Sequence, residues 1–384
     1  MRRTPKENIN QSFINLIRKA HGLIENSDIE KHRHSQDQMG ALFGNSREVA
    51  VTETAVGSMY AEWIRVDRPH SGKKIILYCH GGGYSTGSPL YARTLTTKLA
   101  SQLSMDVFCF DYRLAPEHPY PAAVDDAQAA WDFLMLQGYG AKDIFVAGDS
   151  AGGNLALALG LRLKKQKRML PAGFVLMSPW TDLTVSGKTH ETKADVDPVL
   201  NQNYLNEMIE NYVPQAKKVQ MEAVKPLQAA DTLQEGNTIQ AANTLREANA
   251  LQEGNTIQAA GNLQEGNPLQ TANPLQTAGT EKQKPGDKSA NKVFEEIFDT
   301  EYLRNPEISP LFGDFTGFPP TYIQVGDLEV LMSDSTMLQK KMSGEGVAVS
   351  LDTYKNMWHV FQMGPFKTAV EAIHKCGEFI YSVQ

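Results

Sequence analysis

The 384-residue length and the composition of this chain limit the class of protein it can form. Hydrophobic residues make up 41% of it and the net charge is −7, which suits a globular protein of one large or two smaller domains and gives no reason to expect nucleic acid as a partner. No apolar run approaches the roughly 18–20 residues of a membrane span, and the basic N-terminus lacks the continuous apolar segment of a signal peptide.

The cysteine content indicates a cellular compartment. Cys79, Cys109 and Cys376 are widely spaced, and two of them stand inside strand-like apolar runs. This pattern favours buried thiols in a reducing environment over disulfides. We therefore expect a cytoplasmic protein.

Apolar periodicity predicts strands that alternate with helices along most of the chain. Residues 9–25 carry apolar side chains at helical spacing, and a polar stretch follows to about residue 48. The predicted strands are Ala61–Val66, Lys74–Tyr78, Met105–Asp111, Ile144–Ala147, Gly173–Met177, Thr321–Val325 and Val347–Tyr354. The predicted helices among them are Thr94–Ser104, Pro121–Gln137, Ser333–Ser343 and Phe366–Val383. This order is typical of the α/β class, with a mostly parallel sheet covered by helices on both faces.

A tract with a period of six residues separates the two halves of this pattern. An aliphatic residue recurs at every sixth position from Leu227 to Leu275, in units such as LQEGNT and IQAANT. Six matches neither the helical nor the strand period. Two interpretations stay open: a low-complexity insertion with too little apolar surface to fold, or a short three-sided β-helix with one inward aliphatic residue per unit.

The glycine-rich run YCHGGGYSTGS, Tyr78–Ser88, follows a predicted strand. Three consecutive glycines lose much conformational entropy on folding, so a bare backbone must serve a purpose there. A phosphate-binding loop is excluded, because Ser88 and Pro89 stand where that motif requires Lys and Ser or Thr. Backbone amides without side chains can instead approach a substrate closely, which makes Gly82 and Gly83 candidate hydrogen-bond donors to an oxyanion.

A second signal is the run VAGDSAGGNLALALGL, in which G-x-S-x-G stands between a strand and a helix. That context makes the motif meaningful, because the glycines allow a very tight turn and the serine then projects at the start of a helix. Ser150 is the candidate nucleophile. The backbone N–H of Ala151 would complete the oxyanion hole with those of Gly82 and Gly83.

A serine nucleophile needs a base, and in this type of sheet the base is a histidine late in the chain. Three histidines follow Ser150. His374 falls within the last predicted helix, and His190 precedes every loop of the second half of the sheet. His359 lies just beyond the strand Val347–Tyr354, at the carboxyl edge where ligands bind in such sheets, and it is the best candidate.

The acid that orients this base should follow the strand Thr321–Val325, in the run GDLEVLMSDS. Asp327, Glu329 and Asp334 are all candidates. Asp327 comes directly after the strand, whereas Asp334 stands near the start of the next helix and could cap it. Spacing alone does not choose among them.

Taken together, these motifs resemble the bacterial hormone-sensitive-lipase-like carboxylesterases of the α/β-hydrolase fold. The matching runs are HGGGY, DYRLAPEHPYPAA, GDSAGG, SPWTDL, ISPLFGDFTGFPPTYIQVG and WHVF, which lie within residues 60–213 and 295–384. The resemblance implies Ser150 as nucleophile, His359 as base, and an oxyanion hole formed by Gly82, Gly83 and Ala151.

The resemblance also bears on the triad acid. The family motif G-x-x-D-x-L-x-D-D, aligned on Gly326 and Leu331, places the acid at Glu329. A glutamate departs from the usual aspartate at that position, which leaves Asp327 as the weaker alternative.

A domain organisation and a function follow from the resemblance. Residues 1–50 and 185–220 would form a helical cap, residues 51–184 and 296–384 the catalytic core, and residues 221–295 an insertion with its linker. The implied activity is a serine carboxylesterase that acts on short- to medium-chain acyl esters through a covalent acyl-enzyme. Such an enzyme needs no metal or organic cofactor, and its expected partner is a small-molecule ester. Whether the chain forms a homodimer stays open. The alternative is a hydrolase-fold binding or scaffold protein whose hexapeptide tract binds a partner.

Overall fold

The fold is built on one mostly parallel sheet. The structure, a computed structural model, describes residues 14–15, 18–19, 28–70, 73–218 and 290–383. Within these ranges eight strands pair in the order β1-β2-β4-β3-β5-β6-β7-β8. They are β1 (Val49–Val56), β2 (Met59–Val66), β3 (Ile75–Cys79), β4 (Asp106–Phe110), β5 (Ile144–Asp149), β6 (Gly173–Met177), β7 (Thr321–Gly326) and β8 (Val349–Tyr354). β1 and β2 pair antiparallel, as do β2 and β4, whereas all other neighbours are parallel.

Helices cover both faces of this sheet. They are α1 (Ile29–Phe43), α2 (Pro89–Leu103), α3 (Ala122–Leu136), α4 (Ala151–Lys165), α5 (Thr189–Thr192), α6 (Gln202–Tyr212), α7 (Ala290–Ile297), α8 (Thr300–Leu303), α9 (Met332–Gly344) and α10 (Lys367–Ser382). Every residue of β3, β4, β5, β6 and β7 is buried. Strands covered on both faces are mostly apolar, which is why the sequence shows nearly continuous apolar runs there. The predicted α/β class and mostly parallel sheet are confirmed.

The region before the sheet contains a helix that apolar periodicity did not indicate. Within the polar stretch up to about residue 48, α1 occupies Ile29–Phe43, and the Asp28 side chain caps it by accepting a hydrogen bond from Glu30 N. β1 was also missed, because none of its residues is buried and its apolar alternation is weak. A turn at Gly57, with a φ of +61°, joins β1 to β2.

The start of α2 was placed too late. The helix begins at Pro89, five residues before the predicted Thr94, and Ser88 caps it with its hydroxyl oxygen, which accepts from Tyr91 N at 3.1 Å. Ser88 and Pro89 are thus an N-cap and a first helical residue, which is the pair of residue types that favours a helix start.

Two other expectations concern the burial of thiols and membrane insertion. Cys79, Cys109 and Cys376 are buried and free of disulfides, as predicted. Among the described residues, no helix combines the length and the apolar character that crossing a bilayer would require.

The flanks of the hexapeptide tract meet each other. Lys217 pairs antiparallel with Phe298, and the amide of Lys218 donates to the carbonyl of Ile297 at 2.8 Å. The chain therefore departs at residue 218 and returns near the same place. The tract itself lies outside the described residues, so both interpretations of it stay predictions.

Asn154 on α4 joins three loops at the carboxyl edge of the sheet. Its buried amide donates to the carbonyl oxygens of Trp180 at 2.8 Å and Ile308 at 2.9 Å, and its carbonyl oxygen accepts from the Tyr84 hydroxyl at 2.7 Å. A buried side chain with all its partners satisfied is strongly specified by its surroundings.

We predict that Asn154→Leu lowers the free energy of unfolding by about 3 kcal/mol or more, because each buried polar group left unpaired costs roughly 1–3 kcal/mol. Urea denaturation followed by tryptophan fluorescence measures this. The control is Asn45→Ala, which removes one exposed side-chain bond to Ala41 O and should stay within about 0.5 kcal/mol of wild type. Equal stability of the two variants would contradict the prediction.

Candidate active site

The candidate nucleophile lies on a strained turn between β5 and α4. Ser150 has a φ of +54° and a ψ of −122°, and its amide donates to the carbonyl of Met177 at 3.0 Å. The turn is so tight that a Cβ on Gly148 would overlap the Gly152 carbonyl, and one on Gly152 would overlap the carbonyl of Cys79. Strain of this kind persists only where surrounding structure holds it, and it points the serine hydroxyl out of the turn.

The candidate base reaches this hydroxyl. His359 lies in the loop after β8, and its Nε2 is 2.9 Å from Ser150 Oγ although 209 positions separate the two residues. The imidazole is buried, with 8% of the residue exposed. This separation is within hydrogen-bond reach, as transfer of a proton from the hydroxyl requires.

A buried glutamate holds the other nitrogen of the imidazole. Glu329 Oε2 lies 3.0 Å from His359 Nδ1, and Glu329 Oε1 accepts hydrogen bonds from the Ser178 hydroxyl at 2.8 Å and the Gly326 amide at 2.6 Å. A carboxylate only accepts, so Nδ1 carries the proton and Nε2 is left to accept from Ser150. The structure therefore brings together the three residues that the family resemblance named.

The other acid candidates lie elsewhere. Asp327 accepts a hydrogen bond from the amide of Asn356 at 2.7 Å. Asp334 is fully buried and accepts from the amides of Thr181 and Asp182, while its second oxygen pairs with His190 Nε2 at 3.1 Å. The expectation that Asp334 could cap its helix is wrong, because its oxygens bind these other groups.

The remaining histidines are also accounted for. His190 pairs with Asp334 and therefore joins the segment after β6 to α9. His374 lies on α10, within the last helix as the sequence predicted, and it is exposed. Neither contacts the Ser150 hydroxyl, since the imidazole of His359 lies there.

The electrostatic environment of His359 favours the protonated imidazolium. Burial lowers the pKa of His359, but the hydrogen bond and charge of Glu329, together with the charges of Asp197 and Asp149, outweigh burial and raise it above the ordinary value of 6.5. Such an environment stabilises a positive charge that forms when the imidazole takes a proton.

The glycine-rich loop is tied directly to the nucleophile turn. Asp149, the residue before Ser150, accepts from the Tyr78 hydroxyl at 2.6 Å and from the Gly81 amide at 3.0 Å. On the other side, the Tyr112 ring stacks on His80 with centroids 4.0 Å apart, and its hydroxyl donates to the His80 carbonyl at 2.9 Å. Burial lowers the pKa of His80 to about 4, which keeps that ring neutral.

Gly82 and Gly83 adopt backbone conformations that other residues rarely reach. Their φ angles are +120° and +61°, and a Cβ on Gly82 would overlap the carbonyl of Thr86. A Cβ on Gly83 would lie 2.7 Å from Met208 Cγ on α6. The loop therefore depends on bare backbone at both positions, as its sequence indicated.

Two residues that support this site were missed in the sequence analysis. The Ser178 hydroxyl donates to Glu329 and accepts from the amide of Val360, so it links the acid to the histidine loop. Asp197 accepts from the amide of Val330, next to Glu329, and burial raises its pKa to about 6. Ser178 belongs to the matched run SPWTDL, but nothing in its spacing indicates which groups it binds.

Comparison with known proteins identifies the fold and the general activity. A family model described as alpha/beta hydrolase fold matches residues 76–262 and 238–363. The chain is 30% identical over 349 residues to an esterase of Acinetobacter venetianus, with 90% of this chain and 87% of that protein covered. It is 29% identical over 336 residues to an acetyl-hydrolase of Streptomyces hygroscopicus, covering 88% and 83%. A solved hormone-sensitive lipase from a metagenome library is 30% identical, with a TM-score of 0.69 and 97% of both chains covered.

These matches agree with the observed architecture. The family model and the esterase relative each cover most of the chain, and the solved lipase extends over nearly all of it. The expected fold is confirmed by the sheet and by these relatives together. The chain therefore belongs to the hormone-sensitive-lipase-like carboxylesterases of the α/β-hydrolase fold, and it is a serine ester hydrolase.

Proposed function

We propose that this hydrolase cleaves short- to medium-chain acyl esters through a Ser150–His359–Glu329 triad and a covalent acyl-enzyme. Ser150 attacks the ester carbonyl while His359 Nε2 takes the hydroxyl proton. The imidazolium then gives this proton to the leaving alcohol. In the second half-reaction His359 takes a proton from the water that attacks the acyl-enzyme. The imidazolium returns this proton to Ser150 Oγ as the bond from Oγ to the acyl carbon breaks and the carboxylic acid is released.

One observation carries this proposal: an unbroken line of two hydrogen bonds connects the serine to a buried carboxylate. The Ser150–His359 separation is 2.9 Å and the His359–Glu329 separation is 3.0 Å. Glu329 would hold the tautomer that accepts the serine proton and would stabilise the imidazolium that forms.

The amides of Gly82, Gly83 and Ala151 are the proposed oxyanion hole. The positive φ angles of the two glycines and the position of Ala151 at the N-terminus of α4 support this role. Preorganised amides stabilise the negative charge that develops on the carbonyl oxygen, which commonly accelerates acyl transfer by about 10²–10³-fold per donor.

The proposed substrate class rests on the surroundings of this loop and on a relative. Met208 contacts the position where a Gly83 side chain would stand, so α6 lies directly against the glycine loop. Thioether side chains adapt to apolar groups of varied shape. The relative from Streptomyces hygroscopicus carries the name acetyl-hydrolase, which favours a short acyl group.

We predict that Ser150→Ala loses at least about three orders of magnitude in kcat on every ester that wild type hydrolyses, because the attacking oxygen is gone. A panel of p-nitrophenyl esters from acetate to palmitate measures kcat/KM for both proteins. Wild type should act best on short and medium chains. Equally slow hydrolysis of all esters by both proteins would reject the proposed mechanism.

Replacement of the acid should separate the two candidate carboxylates. We predict that Glu329→Gln lowers kcat by roughly 10²–10⁴-fold, since a neutral amide holds neither the tautomer nor the imidazolium. Asp327→Asn, the matched control, should stay within about threefold of wild type because Asp327 bonds to a backbone amide instead. Loss of turnover in Asp327→Asn alone would reject Glu329 as the acid.

The pH profile adds a second measurement on the same variants. His359 must be neutral to act as a base, so wild-type kcat/KM should fall as the pH drops through the raised pKa, which lies above 6.5. Glu329→Gln removes the largest interaction that raises the pKa while burial remains, so the acid limb should move to lower pH. An unchanged limb would contradict the pairing.

Removal of the hexapeptide tract tests the alternative in which that tract is the functional part. We predict that replacing residues 221–289 by a short Gly-Ser linker keeps most activity toward p-nitrophenyl butyrate, because α7, which follows the replaced segment, ends next to Phe298, and Phe298 pairs with Lys217. The thermal midpoint and kcat/KM are compared with those of the full chain. Loss of hydrolysis in a folded deletion variant would show that catalysis needs the tract.

A further inference from the structure

Lys98 binds the backbone that follows the proposed base. This residue lies on α2, and its ammonium group donates to three successive carbonyl oxygens: Gln362 at 3.0 Å, Met363 at 2.6 Å and Gly364 at 3.0 Å. An ammonium has three N–H donors and no acceptor, so these bonds use its full capacity. The residue is half-buried, which strengthens bonds between a charge and peptide dipoles, and burial lowers the pKa of Lys98 only to about 8, so the ammonium form predominates at pH 7.

A strained residue, Val360, precedes the segment that Lys98 binds. Val360, directly after His359, has a φ of +50° and a ψ of +43°, a left-handed conformation that a β-branched residue rarely adopts. A single 3₁₀ turn, Phe361–Met363, follows it. Carbonyls at the end of such a turn have no partner within the turn, so they need one from elsewhere.

Side chains hold this loop at both ends. At the histidine end, Ser178 Oγ accepts from the Val360 amide at 3.1 Å. At the far end, Lys98 holds three carbonyls, and the Gln362 side chain donates to Gln324 Oε1 at 3.0 Å. Strained backbone at a functional site persists when its surroundings over-determine it, and Lys98 supplies the only charge among these contacts.

We propose that Lys98 is a positioning residue for His359: its ammonium fixes the turn after Val360 and so keeps the imidazole aligned between Ser150 and Glu329. The inference rests on the proposed function, because it concerns the geometry of the same base. Lys98 itself does not touch the reacting atoms. Without it, the left-handed Val360 is free to relax, and the imidazole loses its alignment.

The test compares Lys98→Met with a matched lysine. Lys98→Met should lower kcat by at least tenfold with KM within about twofold, because misalignment by even 1 Å slows proton transfer while ester binding is unaffected. The control is Lys74→Met, since the Lys74 ammonium also donates to a backbone carbonyl, that of Val383 at 3.0 Å after the last helix. It should keep wild-type kcat.

Chemical rescue distinguishes positioning from loss of packing. Lys98→Ala leaves the three carbonyls facing a space in which a small alkylammonium ion fits. Because a free ion binds such a space only weakly, a concentration of roughly 50–100 mM propylammonium is used, and it should raise the kcat of Lys98→Ala at least threefold. Propanol at the same concentration should restore nothing, because it lacks the three charged N–H donors.

The outcomes separate the role of Lys98 from the function itself. If Ser150→Ala has no turnover while folded Lys98→Met keeps the kcat of wild type, the proposed function stands and only the role of Lys98 is rejected. The role of Lys98 is also rejected if the fall in kcat matches the fall in the fraction of folded protein and propylammonium does not restore activity. Should Lys98→Met not fold, Lys98→Gln takes its place, with at least a threefold loss of kcat expected.

Discussion

A buried carboxylate, Glu329, is the constraint on which the rest of the site depends. The residue is fully excluded from solvent, where an ionised carboxylate is strongly unfavourable unless donors surround it. Ser178, Gly326 and His359 provide those donors. The imidazole is therefore held by the same bond that satisfies the acid, so the stability of the buried charge and the orientation of the proposed base have one physical cause.

The sheet makes this arrangement available to residues far apart in sequence. β5, β7 and β8 run parallel within it, so the loops at their carboxyl ends meet along one edge, where Ser150, Glu329 and His359 converge. Asp149 extends the network to the glycine-rich loop through the Gly81 amide. The proposed nucleophile, base, acid and oxyanion donors thus form one connected set of contacts.

Much of this arrangement could be predicted from the sequence, for identifiable reasons. Strands buried on both faces leave nearly continuous apolar runs. The tight turn at Ser150 requires glycines at fixed positions, so the G-x-S-x-G motif is recognisable in the sequence. The choice of Glu329 over Asp327 needed the family resemblance, because both follow β7 within three positions. α1 escaped detection because its buried residues are only His32 and Gly40, so it has no apolar stripe, and β1 because an edge strand alternates weakly. Supporting contacts such as those of Ser178 and Lys98 depend on tertiary geometry that no spacing encodes.

Covalent labelling tests the central claim most directly, namely that His359, held by Glu329, activates Ser150. Wild-type protein and His359→Asn would be treated with a p-nitrophenyl phosphonate, and the modified peptide would be mapped by mass spectrometry over time. The account predicts one adduct per chain, on Ser150, forming about a thousandfold more slowly in His359→Asn. Labelling of another serine, or equal rates in the two proteins, would contradict it.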